Sequence, residues 1–205
     1  MRLSNCGRVF LAVMLAAAGA WAQPAQPHVS ADVAITFAAE RAQIAPGTCG
    51  CFWLEGGGAD AALTFWKGFG AAAALSGDQA SNYAPGLDLS RIAFTAGPRY
   101  SYILPARGAD VVSKPRLQIF GEALFGGVHA FDGAFPRGSG LNTSAGSFAL
   151  QTGGGINLFF SKRFAVRLLE VDYVHTALPN NYSNSQNDLR LGFGITWHAA
   201  SLHRQ

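Results

Sequence analysis

Charge is scarce in this chain. Of its 205 residues only 13% are Asp, Glu, Lys or Arg, where an average protein carries about a quarter. Lysine is scarcer still, with only Lys67, Lys114 and Lys162. A soluble exterior is normally dressed with charged side chains of both signs, so an ordinary water-facing surface is hard to build from this composition. The 15 basic residues fall to 13 without Arg2 and Arg8 of the leader described below, against 12 acidic residues. That near-balance supplies no basic patch, which argues against a nucleic-acid partner. Beyond the leader there is no run of about 18 apolar residues, so no membrane-spanning helix is expected. A Gly-rich phosphate loop, zinc-ligand spacing and a nucleophile elbow are all missing. No cofactor and no metal are expected.

Cysteine is nearly absent too. Of three, Cys6 lies in the leader, leaving Cys49 and Cys51 as Cys-Gly-Cys. An oxidising compartment permits a disulfide between them, but so small a ring would be strained and easily reduced. No His lies nearby to complete a metal site. The expectation is a structural or loosely redox-active loop pair.

What is present begins with that leader. Residues 1–22 have a positive start, an apolar run from Phe10 to Ala20 and an Ala20-Trp21-Ala22 cleavage site. This is the pattern of a secretory signal peptide. The expected organisation is a signal peptide over 1–22, a polar lead-in over 23–28, one domain over 29–198 and a tail over 199–205.

Within that domain the dominant signal is period-two alternation. It is cleanest from Asp188 to His198, where Leu189, Leu191, Phe193, Ile195 and Trp197 alternate with Arg190, Gly192, Gly194, Thr196 and His198. Alternate side chains on a strand point to opposite faces, so one face is apolar and the other small or polar. The same design predicts seven earlier strands: about Val29 to Arg41, Gly56 to Trp66, Phe69 to Ser76, Ser90 to Leu104, Arg116 to Ala130, Ser147 to Phe159 and Phe164 to Leu178. Lys67-Gly68 and Ser161-Lys162-Arg163 read as tight turns. Short and long connections alternate along the chain. The lysines and many aromatics, Trp66, Phe69, Phe160, Phe164 and Trp197 among them, gather at the short-connection end. Pro98 would remove a ladder hydrogen bond, which usually marks an edge or a bulge. Phe120 and Leu124, on the otherwise polar face of their strand, blur the pattern.

Short turns at one end, long loops at the other and an aromatic girdle are the signature of a transmembrane β-barrel. The fold expected is all-β: an eight-stranded antiparallel up-and-down transmembrane barrel with its apolar face outward. A soluble lipocalin-like barrel, apolar face inward, is the alternative. Eight strands enclose a lumen that side chains fill. Unpaired charge there is costly, so Arg99 and Arg190 are expected to pair with Glu122, Glu170 and Asp172.

The segments I-F-G-E-A-L-F-G-G at 119–127, A-G-P-R-Y at 96–100 and R-L-x-E-V-D-Y within 167–173 resemble the small OmpA/OmpX-like, "porin family" outer-membrane barrels. So does Q-N-D-L-R-L-G-F-G-I-T-W at 186–197. That resemblance implies residence in the outer membrane, among its lipid and lipopolysaccharide, and a monomer is expected. It also implies a C-terminal signal, Arg190, Gly192, Ile195 and Trp197, read by the barrel-assembly machinery. The family's last aromatic usually ends the chain, whereas Ala199 to Gln205 trails on here, and no periplasmic domain is expected after the barrel.

Among catalytic options, a lipid A-modifying barrel enzyme needs a Ser nucleophile, a His base and an orienting acid. His175 with Ser183 or Ser185 and Glu170 is the nearest set. Alternation places Glu170 in the lumen and His175 on the other face. A non-enzymatic barrel with a structural or surface-interaction role is therefore the expectation. A narrow or gated passive pore is the alternative, and the extracellular partner is not readable.

Overall fold

The computed structural model describes residues 29–43, 51–84, 87–104, 115–137, 140–180 and 183–199. The leader, the 200–205 part of the tail and Cys49 lie outside the described residues. Ten strands form: β1 (Ser30–Gln43), β2 (Cys51–Trp66), β3 (Phe69–Ala84), β4 (Leu87–Ile103), β5 (Arg116–Phe131), β6 (Phe135–Arg137), β7 (Gly140–Asn142), β8 (Ala145–Phe159), β9 (Phe164–Thr176) and β10 (Gln186–Ala199). Eight of them close an antiparallel barrel in the order β1-β10-β9-β8-β5-β4-β3-β2, and β6 and β7 pair as a separate hairpin. The seam joins first strand to last, with Val33 opposite Trp197, Ile35 opposite Ile195 and Glu40 opposite Arg190. Closure removes every sheet edge, which matters most where no water can satisfy an open strand.

The strands run further toward the long loops than composition suggests. β2 starts at Cys51 rather than Gly56, β3 continues to Ala84 rather than Ser76, and β4 starts at Leu87 rather than Ser90. Alternation persists in this upper part: Asp78 and Ala80 are buried while Gly77 and Gln79 are exposed. Apart from Trp53, its outward residues are mostly polar, Glu55, Gln79 and Asp88 among them, because the strands there rise above the apolar belt, so the belt's greasy signal stops before the strand does. The stretch read as a loop over 131–146 contains the β6–β7 hairpin. β9 ends at Thr176, two residues short of the expected Leu178.

Pro98 occupies neither an edge nor a bulge. It faces outward in β4, where the register to β5 is the same at Ala96–Phe125 and Arg99–Glu122 on either side of it. Four consecutive alanines, Ala71 to Ala74, good helix formers by propensity, lie in β3 as a strand. At the β2–β3 turn Lys67 and Gly68 have φ of 46° and 91°. Two positive φ values make the type I′ geometry that matches strand twist.

The apolar face points out. Ile35, Phe37, Phe193 and Ile195, neighbours across the β1–β10 seam, each leave more than 60% of their surface exposed. A belt of this kind runs around the barrel through Leu63, Leu75, Phe94, Phe125, Phe148 and Leu169. A soluble protein does not expose so large a continuous apolar surface. The lipocalin-like alternative required the opposite orientation.

Candidate functional site

The inward face is where the charge went. Among the described residues, Asp32, Glu40, Asp60, Asp78, Glu122, Glu170, Asp172 and Asp188 are buried, as are Arg91, Arg99, Arg167 and Arg190. Eight carboxylates thus share the lumen with four guanidiniums. They are sorted into layers by their height on the strands.

The middle layer is the most tightly tied. Arg167, with no exposed surface, donates from Nη1 to Asp60 Oδ2 at 2.6 Å and to Glu170 Oε2 at 2.7 Å. Its Nη2 reaches Asp60 Oδ1 at 3.3 Å and its Nε reaches Asn157 Oδ1 at 3.2 Å. Arg99 donates from Nε to Glu122, and its Nη2 lies 2.8 Å from Asp60 Oδ1. Asp60 therefore bridges two arginines. Between them stands Phe120, whose ring centre is 4.5 Å from the Arg99 guanidinium carbon and 4.7 Å from that of Arg167. Both cations face the ring, a favourable arrangement in a desolvated site. Phe120 fits because its cross-strand partner is Gly155; a Cβ there would lie 2.9 Å from the ring.

The upper layer is looser. Arg91 donates to Glu40 at 2.6 Å and to Asp188 at 3.3 Å, with Asp78 at 3.9 Å. Asp78 Oδ1, Asp188 Oδ1 and Arg91 Nε are buried without a hydrogen-bond partner. A cavity of about 20 Å³ adjoins them, lined in part by Glu40, Asp78, Arg91, Gln151 and Arg190. That is room for about one water. Above this layer the loop-end mouth is apolar: Leu54 packs with Ala42 and Ala80, and Phe135 of the hairpin packs with Val128 and Leu178. At the turn end, His198 Nδ1 lies against Asp32 Oδ1, Gln118 donates to Asp32 at 3.3 Å, and Asn157 donates to Gln118 at 2.8 Å.

Of the residues expected in a lumen network, Arg99, Glu122, Glu170, Asp172 and Arg190 all face inward. Arg99 meets Glu122. Glu170 is held by Arg167, a residue the expected network omitted. Asp172 is opposite Arg190 in the β9–β10 register, but its Oδ2 takes its hydrogen bond from Gln151 at 2.9 Å and its Oδ1 has none. Glu122, Glu170 and Asp172 each bring a carboxylate oxygen to within 4.8 Å of the other two.

Arg167 was hidden by a bulge. Counting back by twos from Glu170 puts it outside. In the structure Leu168 and Leu169 both face out, and the register shifts between Ile156 and Asn157 in β8 and between Gly192 and Gly194 in β10. The extra residue in β9 turns Arg167 inward, and consecutive exposed leucines are the one trace of it in the sequence.

Arg190 and Gly192, of the expected C-terminal signal, face the lumen, and Ile195 and Trp197 face out. Cys51 opens β2 at an exposed position, with Arg41 Nη2 3.7 Å from its sulfur. The residues of the candidate catalytic set are not brought together. His175 Nδ1 is 2.8 Å from Asn187 Oδ1, Ser183 donates to the Ser185 carbonyl at 3.3 Å, and Glu170 is inside on Arg167.

No family model and no curated protein matches the sequence. Solved structures do resemble the fold. Ail, the attachment invasion locus protein of Yersinia pestis, solved with the heparin analogue sucrose octasulfate, superposes with a TM-score of 0.52 at 15% identity, over 85% of this chain and all of that one. Neisserial surface protein A gives 0.49 at 14% identity, over 82% and 96% of the two chains. The N-terminal barrel domain of Pseudomonas aeruginosa OprF gives 0.40 at 14%, over 82% and 97%.

Proposed function

We propose that this chain, which has the fold of the small eight-stranded outer-membrane barrels, resides in the outer membrane as a non-enzymatic protein with a structural or surface-interaction role. The observation that carries this is the inversion of polarity: a charged, side-chain-filled lumen inside a continuous apolar belt. In this reading the belt is solvated by lipid and lipopolysaccharide, and the barrel-assembly machinery reads the last strand. A surface role is supported by the β6–β7 hairpin at the loop end. Phe135 anchors it, while Leu141 leaves 70% of its surface open.

Fractionation followed by gel mobility of boiled and unboiled samples tests residence. Recovery in the outer membrane, with a mobility shift on boiling, is the expected outcome. Recovery as a soluble periplasmic protein would overturn it. The polar cavity beside Arg91 favours one second reading, slow passage of small ions. Planar-bilayer recording tests that, and a flat trace from reconstituted protein would remove it.

A further inference from the structure

The charges left outside the lumen are unevenly divided between the two ends. At the turn end, the described residues are Lys67, Lys162 and Arg163, with no acidic residue among them; Arg116 has the inward parity of Gln118 and lies over the buried Phe159 ring. At the loop end Arg41 and Arg137 stand with Glu55, Asp88 and Asp132. The basic end is also the aromatic end. Trp66, Phe69, Phe160 and Phe164 are 60%, 51%, 64% and 45% exposed, and Lys67 Nζ sits 5.5 Å from the Trp66 ring centre. Aromatic rings of this kind settle at headgroup depth. Their depth fixes that of the bases: Lys67 adjoins Trp66, and Lys162 and Arg163 lie between Phe160 and Phe164.

We infer that the turn end is a binding collar for anionic phospholipid headgroups, in the leaflet that surrounds the short turns. Charge complementarity selects the occupant: three bases, with no acid among the described outward-facing residues of that end, at headgroup depth. A juxtamembrane Lys or Arg near an acidic lipid surface contributes about fivefold in binding. Zwitterionic headgroups offer no such gain, and the loop end, with its mixed signs, has no such preference. The inference rests on the outer-membrane reading.

The test refolds the mature chain into phosphatidylcholine vesicles, with and without a minor fraction of phosphatidylglycerol. Folding equilibrium is read by urea titration and heat-modifiable mobility. For the natural chain the anionic lipid should raise the folding constant at least about tenfold. The gain should vanish at 1 M salt, where screening acts within about 3 Å. A Lys67→Gln, Lys162→Gln, Arg163→Gln variant should fold in phosphatidylcholine and show no gain. An Arg41→Gln, Arg137→Gln variant should keep it. Equal folding constants in both vesicles, or a gain that survives the first triple change, would overturn the collar alone. Failure to insert into either vesicle would overturn the membrane reading beneath it. An unchanged constant, with binding to purified peptidoglycan that the triple variant loses, would assign the collar to the wall polymer and refute the lipid.

Discussion

The two charged layers of the lumen use the same residue types and reach different degrees of completion. In the middle layer two arginines, three carboxylates and one aromatic ring are closely tied: Arg167 alone makes contacts to Asp60, Glu170 and Asn157, and of these groups only Arg99 Nη2 is a buried atom without a hydrogen-bond partner. In the upper layer Arg91 faces three carboxylates, with Arg190 beside the same cavity, and three buried polar atoms have no hydrogen-bond partner. A buried charge is tolerated when its geometry is complete, and its removal then leaves partners stranded. The middle layer is therefore the barrel's clamp. The upper layer, beside a cavity large enough for about one water, is where solvent can complete what the protein leaves open.

Replacing an arginine in each layer tests this difference most severely. Arg167→Met should destabilise the barrel by about 3–5 kcal/mol, the cost of stranding buried carboxylates, measured by equilibrium urea titration in vesicles. Arg91→Met should cost less, about 1–3 kcal/mol, the ordinary price of unsatisfied polar groups, because water can reach its partners. Equal losses would mean that the layers are equally dry and that the contrast is wrong. A smaller probe is Phe120→Leu, which keeps the volume nearly constant and removes the ring between Arg99 and Arg167. A loss of about 1–2 kcal/mol is expected from two desolvated cation–π contacts. A loss within error would show that the ring only fills space beside Gly155.

The legibility of these layers in the sequence was uneven for a physical reason. Alternation reports the face of a residue, so the barrel, its outward apolar belt and the inward placement of Arg99, Glu122, Glu170, Asp172 and Arg190 followed from parity. Alternation carries no information on cross-barrel partners. Asp60 and Arg167 are 107 positions apart, and nothing local links them. Parity itself fails at a bulge, which is how Arg167 escaped. The strand ends above the belt were lost because they face water and read as loop. The turn at Lys67-Gly68 was legible because it is local, with both residues at positive φ.

The smallest expected effect is the sharpest discriminator between the layers. Asp78→Asn keeps the shape of the side chain and removes one charge from the upper layer. Asp78 lies 3.9 Å from Arg91, too far for a direct hydrogen bond, and its Oδ1 has no partner. Little attraction is therefore lost, and the cost of holding a charge out of water is removed. Glu40 and Asp188 still neutralise Arg91. The stability should stay the same or rise slightly, by no more than about 1 kcal/mol. The same exchange one layer down, Asp60→Asn, takes from Arg99 and Arg167 the carboxylate they share, and it should be clearly destabilising. If Asp78→Asn costs as much as Asp60→Asn in the same urea titration, the Asp78 charge is engaged by Arg91 or Arg190 in solution. The upper layer would then be as closely tied as the middle one.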